Sequence, residues 1–481
     1  MPVAGARAVA KTLMGILRKD LPRLERIDRY LHGDQDPPYT PTEDDGEYRL
    51  LARRSVANWL ALVVATPVQA LYVDSVRRVR RSADPDRAVS NDAADAEWAH
   101  WQRSGLDARQ LAIHRAAIAY GHSFVVTERV KDGTWRTRGL SPLRTVAVFE
   151  DPAADVVPVA AMTVVRRPSE DTPGLLRMWD KTLVTDLSFK APWDADSLRV
   201  IRSARHGAPD CPVTRLAAQV DLDGRTLGVV EPLIPLQDRI TQTSYDLLVA
   251  QTYSSTMVRW GSGLTPPVQR DPETGEPVLD EHGNKIPVKL NLNARRFLFA
   301  EDPTAKFGSL PPSPLDGLIS AGELSVRHMA ALSQIPPHYM VGIVPNLPAE
   351  ALNAAETSLM RRVLEFQSGF SVPWERVFRL YAAIEGREAD AEDYSLEVVW
   401  RDMESRALAQ NADGLGKLSE SLGIPKRGLW PRVPDVTDAE LRYWDRLAEE
   451  SDYRAQLANL MLPAADEEAA SETAPAVGAD G

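Results

Sequence analysis

The chain has 481 residues, 44% of them hydrophobic and 26% charged, a balance that supports a large folded protein of one to three modules and excludes wholesale disorder. Lys and Arg number 56 against 68 Asp and Glu, a net charge of −12. That sign is wrong for a protein that grips phosphate backbones over a broad surface. The single cysteine, Cys211, forbids an intrachain disulfide and fits a reducing compartment such as the bacterial cytoplasm. Lys11, Arg18 and Lys19 break the N-terminal apolar pattern, so a secretory signal is not expected. The most apolar run, Trp59 to Val73, falls short of the ~20 residues that span a bilayer, so no membrane association is expected.

Residues 1–75 read as an amphipathic lead helix, a Pro-rich acidic break from Asp34 to Asp45, and a second helix near Tyr48 to Ala65. Two more helices are expected between Ser90 and Gly121, the first started by Ser90 or Asn91 and the second closed by Gly121. β-branched runs follow at Ser123 to Val130, Thr145 to Phe149, Ala160 to Arg166, Leu175 to Trp179, Thr182 to Phe189 and Leu198 to Arg202. Turn signals such as Lys131-Asp132-Gly133 separate them, the pattern of an antiparallel β-rich module.

From Glu231 the period returns to three and four, through Leu233, Leu236, Ile240, Leu247 and Met257, with Pro232 suited to a first turn. A helix of roughly 27 residues at ~1.5 Å each would be about 40 Å long, a packed strut rather than a compact-domain helix. Between Gly261 and Pro314 come two turn signals and strand candidates at Val288 to Leu292 and Arg296 to Ala300, which read as an inserted hairpin. A second helix runs from about Leu315 to Gln334 and stops before Ile335-Pro336-Pro337. Pro336 to Pro348 reads as an irregular loop, unusually rich in apolar residues. A long helix then holds its spacing from Leu352 to Ile384 across Pro373, which predicts a kink, with Gly369 easing the clash. A strand at Ser395 to Trp400 and small helices precede an acidic tail, 464–481, too poor in apolar groups to pack.

The chemistry of several enzyme classes is missing. No Gly-Lys-Ser/Thr phosphate loop occurs, which removes an ATP-driven motor. Trp260-Gly261-Ser262-Gly263 reads as a flexible junction rather than a nucleophile elbow. The eight histidines do not pair at ligand spacing, so neither a metal nor a cofactor is expected. His338 reads as a solvent-facing or capping residue. Carboxylates such as Glu97, Glu128, Asp246 and Glu323 are too plentiful to single out an acid–base pair. The cluster Arg77, Arg78, Arg80 and Arg81 is read as salt bridges between subunits or a solvated face before a phosphate site.

Several stretches resemble the portal proteins of tailed phages, especially the family common in phages of Gram-positive and actinobacterial hosts. His206-Gly207-Ala208-Pro209 with Pro212-Val213 is similar to its turn before the stem. Gly228-Val229-Val230-Glu231-Pro232-Leu233, followed by Leu236-Gln237-Asp238 and Gln242-Thr243, resembles the start of its stem, although the family often has Ser-Glu where this chain has Val230-Glu231. Ser333-Gln334-Ile335-Pro336-Pro337-His338-Tyr339 resembles the stem's exit into the tunnel loop. Pro348-Ala349-Glu350-Ala351-Leu352 and Glu356-Thr357-Ser358-Leu359, with Trp374-Glu375, resemble the kinked helix. The resemblance covers about Leu24 to Leu460 and is strongest from Gly207 to Trp374.

The resemblance implies an α+β, portal-type subunit: a wing of N-terminal helices and antiparallel strands (1–230), a first stem helix (231–260), a clip (261–314) and a second stem helix (315–335). A tunnel loop (336–349), a kinked helix with wing return (350–400), a helical crown (401–462) and a disordered acidic tail (463–481) complete it. It further implies a dodecameric ring at a capsid vertex of the virion, assembled in the host bacterial cytoplasm, with no enzymatic activity. Double-stranded DNA would pass through the ring during packaging and ejection without sequence reading, past His338, Tyr339, Met340, Val341, Ile343 and Asn346. Terminase and head-completion or adaptor proteins would dock on the clip at Arg270, Asp271, Glu273, Glu276 and Lys285, and major capsid or scaffold protein would surround the ring. Two other readings stand beside it. A different virion connector or scaffold would be equally acidic but has no need of a kinked helix after an apolar loop. A soluble hydrolase on the β-rich module would show turnover by monomeric protein.

Overall fold

The computed structural model describes residues 3–40, 46–81, 89–130, 132–254, 259–262, 268–269, 271, 274–280, 283, 286, 306–309, 314–342, 349–401, 408–433, 436 and 438–461. In chain order, helices α1 (Val3–Leu31), α2 (Gly46–Arg54) and α3 (Trp59–Gln69) lead to strands β1 (Val73–Arg81) and β2 (Val89–Ala93) and helices α4 (Asp95–Ser104) and α5 (Leu106–Tyr120). Strands β3 (His122–Arg129), β4 (Trp135–Leu140), β5 (Thr145–Val148), β6 (Ala160–Arg166), β7 (Gly174–Trp179), β8 (Leu183–Phe189), β9 (Arg199–Arg205) and β10 (Val213–Ala217) follow. Then come helix α6 (Ile234–Ser254), strands β11 (Arg259–Ser262) and β12 (Lys306–Ser309), and helices α7 (Asp316–Ser333), α8 (Pro337–Val341), α9 (Ala349–Ile384) and α10 (Glu388–Ala391). Strand β13 (Leu396–Trp400) and helices α11 (Leu408–Leu422), α12 (Lys426–Leu429) and α13 (Asp438–Met461) close the order of an α+β protein. The described residues fall into two compact units, one within 1–27, 64–231 and 357–481, the other within 28–63 and 232–356.

In the first unit, β5 to β9 form an antiparallel meander in sequence order. Ala6, Ala10, Leu13, Met14 and Leu17 recur at helical spacing on α1 and bury against Val146, Met162, Leu176, Met178, Leu187 and Phe189 of that sheet. Alternation along β6 sends Ala160 and Met162 to this core and Ala161 to a second one with Trp179, Phe124, Val126 and Val213. The second core belongs to the sheet β10-β3-β4.

A third sheet, β13-β1-β2, joins distant parts of the chain, with Val76 opposite Val398 and Arg78 opposite Leu396. Arg78 is buried, and its guanidinium lies 3.0 Å from Glu97, 3.4 Å from Asp390 and 3.4 Å from Asp393. Glu97, 1% exposed, also takes Arg387 at 2.6 Å. The reading of the arginine cluster as bridges between subunits or a solvated face is therefore corrected for Arg78, whose partners lie in its own chain. The side chains of Arg80 and Arg81 lie outside the described residues. Nor do Ser90 and Asn91 start a helix. They pair with Arg80 and Val79 as β2, because β1 needs a neighbour, and α4 starts at Asp95.

Below this sheet the C-terminal half of α9 supplies the core, with Phe366, Phe370, Trp374, Phe378 and Tyr381 at 2% exposure or less. Trp374 Nε1 donates to His114 Nε2 at 2.9 Å, and His114 Nδ1 donates to the Leu71 carbonyl at 3.0 Å, which fixes the neutral tautomer. His100 stacks on Tyr381 with ring centroids 3.8 Å apart and bonds Thr137 Oγ1 at 2.8 Å. Burial pushes the His114 pKa down to about 4 and that of His100 down to about 3, the latter helped by Arg103.

The helix expected over Tyr48 to Ala65 is two helices. The chain leaves helix after Arg54, Asn58 Oδ1 accepts from the Ala61 N–H at 3.2 Å, and α3 continues past Ala65 to Gln69. In the second unit, Leu51 and Ala52 of α2 pack on Tyr245 of α6. The expected strut from Glu231 is a 3₁₀ turn, Glu231–Leu233, and then the 21 residues of α6, about 32 Å long. Residues 255–258, 343–348, 402–407 and 462–481, with the strand candidates at 288–292 and 296–300, lie outside the described residues.

Replacing Glu97 by Ala leaves the buried Arg78 and the half-buried Arg387 short of their shared partner and is expected to cost about 3 kcal/mol of unfolding free energy by chemical denaturation. Because His100 and His114 have folded pKa values below the ordinary 6.5, the unfolded chain binds more protons below that pH. Stability is expected to be full above pH 6.5 and to fall steadily towards pH 4, starting above the range where carboxylates titrate. Denaturation midpoints measured from pH 7.5 to pH 4.5 check this.

Candidate functional site

The stretches that carry the family resemblance follow one another from the turn before β10 through α6, α7 and α8 to α9. Gly121, with φ +95°, ends α5, and a Cβ on Gly228 would stand 2.4 Å from the Ala119 carbonyl oxygen. Only glycine at residue 228 lets this backbone approach α5 so closely, and Val229 N–H then donates to the Ile118 carbonyl at 2.9 Å. The Gly228-Val229 motif is thus a backbone contact, not a ligand loop.

Helix α6 carries Gln237, fully buried. Its Oε1 accepts from Trp59 N–H at 3.2 Å, and its Nε2 donates to the Ala57 carbonyl at 2.8 Å and lies 3.2 Å from Gln35 Oε1. Thr241 Oγ1 donates to the same Gln35 oxygen at 2.8 Å. Tyr30 OH lies 2.6 Å from Asp238. These bonds hold the N-terminal segment on α6, and Gln237 was visible in the sequence only as part of the motif.

Helices α6 and α7 pack together, with Arg239 Nη2 3.1 Å from His328 Nδ1. Between their flanks lies an open apolar groove lined by Pro232, Pro235, Leu236, Ala331 and Leu332, the last 68% exposed. Strands β11 and β12 pair antiparallel at the base of the insertion, Trp260 opposite Gly308, a pairing the sequence reading missed because four-residue strands leave almost no periodic signal. Trp260 and Gly261, read as a flexible junction, are strand residues. Of the clip residues singled out, Asp271 and Glu276 are exposed, and the Asp271 N–H donates to the Glu276 carbonyl at 2.9 Å across a turn in which Gly275 has φ +71°. Arg270, Glu273 and Lys285 lie outside the described residues.

Helix α7 ends where Gln334 turns left-handed, φ 59°, and its N–H returns to the helix carbonyls. The segment after it is not irregular throughout: Pro337 begins α8, Met340 is 4% exposed, and Gly342 closes the turn at φ 71°. Pro at a first helical position and Gly just past the end are the signals that predict such a turn. His338 and Tyr339 have ring centroids 4.6 Å apart, and Tyr339, 44% exposed, donates its OH to Glu356 at 3.0 Å. Val341 is half-buried, while Ile343 and Asn346 lie outside the described residues.

Helix α9 runs unbroken through Pro373. A Cβ on Gly369 would sit 3.4 Å from the Ala218 carbonyl oxygen. Among the described residues no group of His, Cys, Asp and Glu could hold a metal ion, and no helix is long and apolar enough to cross a membrane.

A helix pair that flanks a hairpin insertion, leading through a short turn into one long helix, defines a portal-type subunit. Residues 11–454 match the family of phage portal proteins described as SPP1 Gp6-like, and the chain belongs to that family. It is 26% identical over 395 residues to the portal protein of Mycobacterium phage D29, covering 78% of this chain and 77% of that one. The portal protein of Mycobacterium phage L5 is 25% identical over 399 residues with the same coverage. A chain from a virion of a native gene transfer agent particle aligns over 83% of this chain and 99% of its own, at 13% identity and a TM-score of 0.41.

Gln237→Leu removes the hydrogen bonds of a fully buried amide, while the Trp59 N–H and the Ala57 carbonyl keep one to each other at 3.1 Å and Gln35 keeps the Thr241 hydroxyl. The expected loss is about 1–2 kcal/mol, read as a lower denaturation midpoint with unchanged slope.

Proposed function

We propose that this virion protein assembles as a dodecameric ring at one capsid vertex, through which double-stranded DNA is packaged and later ejected. Membership of the portal family over residues 11–454 carries the reading, and the succession of α6, hairpin insertion, α7, α8 and α9 supports it. The role is structural rather than catalytic. With a net charge of −12, the chain suits a conduit along which duplex slides, since each cationic contact to phosphate would add friction. Assembly takes place in the bacterial cytoplasm.

In this reading residues 336–349 face the channel and contact passing duplex without reading its bases. Tyr339, exposed, and His338 beside it are the described residues we assign to that contact. The insertion, 261–314, presents Asp271 and Glu276 to the terminase and then to head-completion proteins, and capsid or scaffold protein surrounds the ring. The exposed Leu332 and the groove beside it fit burial against a neighbouring subunit.

Negative-stain microscopy of the purified protein is expected to show rings with a central channel and about twelve-fold symmetry. Particles that stay monomeric with and without scaffold protein would remove the proposal. Shortening residues 340–346 is expected to leave the rings intact while impairing DNA packaging or retention in an assembly assay. Normal packaging by that variant would show that the segment does not line the path.

A further inference from the structure

The first unit contains a cleft of about 320 Å³ between α1 and the strands below it, which the portal role does not use. Its apolar wall includes Ile16, Leu17 and Leu24 of α1, Phe124 of β3, Val146 of β5 and Phe149. Set into this wall is Arg215 of β10, only 5% exposed. Its Nη2 donates to the carbonyls of Pro152 at 2.8 Å and Asp155 at 2.7 Å, and its guanidinium carbon lies 4.2 Å from the Phe149 ring centroid. The N–H groups on Nε and Nη1 have no acceptor among the described residues, and the Asp155 carboxylate favours the cation without making an ion-pair contact.

Less buried arginines of the same unit are matched. Arg138 meets Glu128 at 2.7 Å, and Arg177 meets Asp186 at 2.7 Å. A cation sunk more deeply than these ordinarily requires a counter-charge. Arg215 touches only backbone carbonyls and an aromatic face, with the Asp155 carboxylate acting from beyond contact distance, and it borders open space.

A second donor stands beside it. Arg215 is opposite Phe124 in the β3–β10 register and His122 is two residues earlier on β3, so the diagonal places His122 about 7 Å away on the same face. His122 lines the cleft, and its Nδ1 lies 2.9 Å from Thr226 Oγ1. Burial pushes its pKa down to about 4, so the ring is neutral. In the tautomer in which the Thr226 hydroxyl donates to Nδ1, Nε2 carries the hydrogen and has no partner among the described residues. Asp20, the carboxylate on the cleft wall, is already engaged by Arg23 at 2.7 and 3.2 Å.

We propose that this cleft binds a small organic acid, with its carboxylate between Arg215 and His122 and its apolar body against Leu17, Phe124 and Val146. The volume lies at the lower end of the ~300–1,000 Å³ range of small-molecule pockets, enough for one ring and a short chain. A charge-assisted hydrogen bond in so dry a setting discriminates strongly against a neutral ligand of the same shape.

Isothermal titration calorimetry of the full chain with 3-phenylpropionate and with its neutral amide tests the proposal. The acid is expected to bind at least about tenfold more tightly than the amide. Arg215→Met should reduce the acid to the level of the amide, and Ile16→Trp, which fills the cleft from a position 41% exposed, should abolish binding of both. Equal affinity for acid and amide, no binding of either, or acid binding that persists in Ile16→Trp overturns the proposal. Ile16→Trp decides the outcome should Arg215→Met fail to fold.

Discussion

Glu97 is buried between two arginines that reach it from different parts of the chain, Arg78 on β1 and Arg387 after α9. Desolvating three charges is expensive, and geometry has to recover the cost. Asp390 and Asp393 help by extending the acidic side of the cluster around Arg78. The cluster constrains its surroundings because a shift of β1 along β13 by one residue would turn Arg78 out of it. The sheet β13-β1-β2, the placement of α4 and the segment after α9 all depend on that one arrangement.

An aromatic layer continues the same constraint inward. Trp101 meets Trp374 edge-on at 4.9 Å between centroids, and His114 stacks on Phe370 at 5.0 Å. Two histidines in this layer are held neutral, and His114 is in a definite tautomer, so the interior is not interchangeable apolar bulk. Such groups specify one packing, since any other leaves a donor or acceptor unpaired. The second unit uses the same device with amides, through Gln237, Gln35 and Thr241. At residues 337–342 Met340 is buried, and among the described residues Tyr339 donates its OH to Glu356.

Much of this was legible from periodicity. The lead helix, the meander strands, α7, α9 and β13 fall within a few residues of where spacing and turn residues put them. The failures share a cause. Ser90 and Asn91 favour helix starts locally, but the open side of β1 recruits them into a strand. Arg78 looks solvated in a run of arginines, and only the fold reveals Glu97, Asp390 and Asp393 around it. The short strands β11 and β12 and the single turn α8 are below the length at which a period can be counted, although Pro337 and Gly342 mark the limits of α8. Gln237, Glu356, Arg215 and His122 meet partners distant in sequence, and nothing in a linear reading pairs them.

The placement of β13 bears on how the protein is made. Strand β1 ends at Arg81, and its partner begins at Leu396. At ~5–20 residues per second, a ribosome needs on the order of 15–60 s to deliver the missing strand. Until then β1 has β2 on one side and bare N–H and C=O groups on the other, a template for any extended chain nearby. A message truncated after α4 and before residue 387 yields a fragment with that edge permanently open and with Glu97 lacking Arg387. Crowded translation of a virion component thus favours whole chains: incomplete ones expose an adhesive border and are diverted to aggregation or degradation before they reach a growing particle.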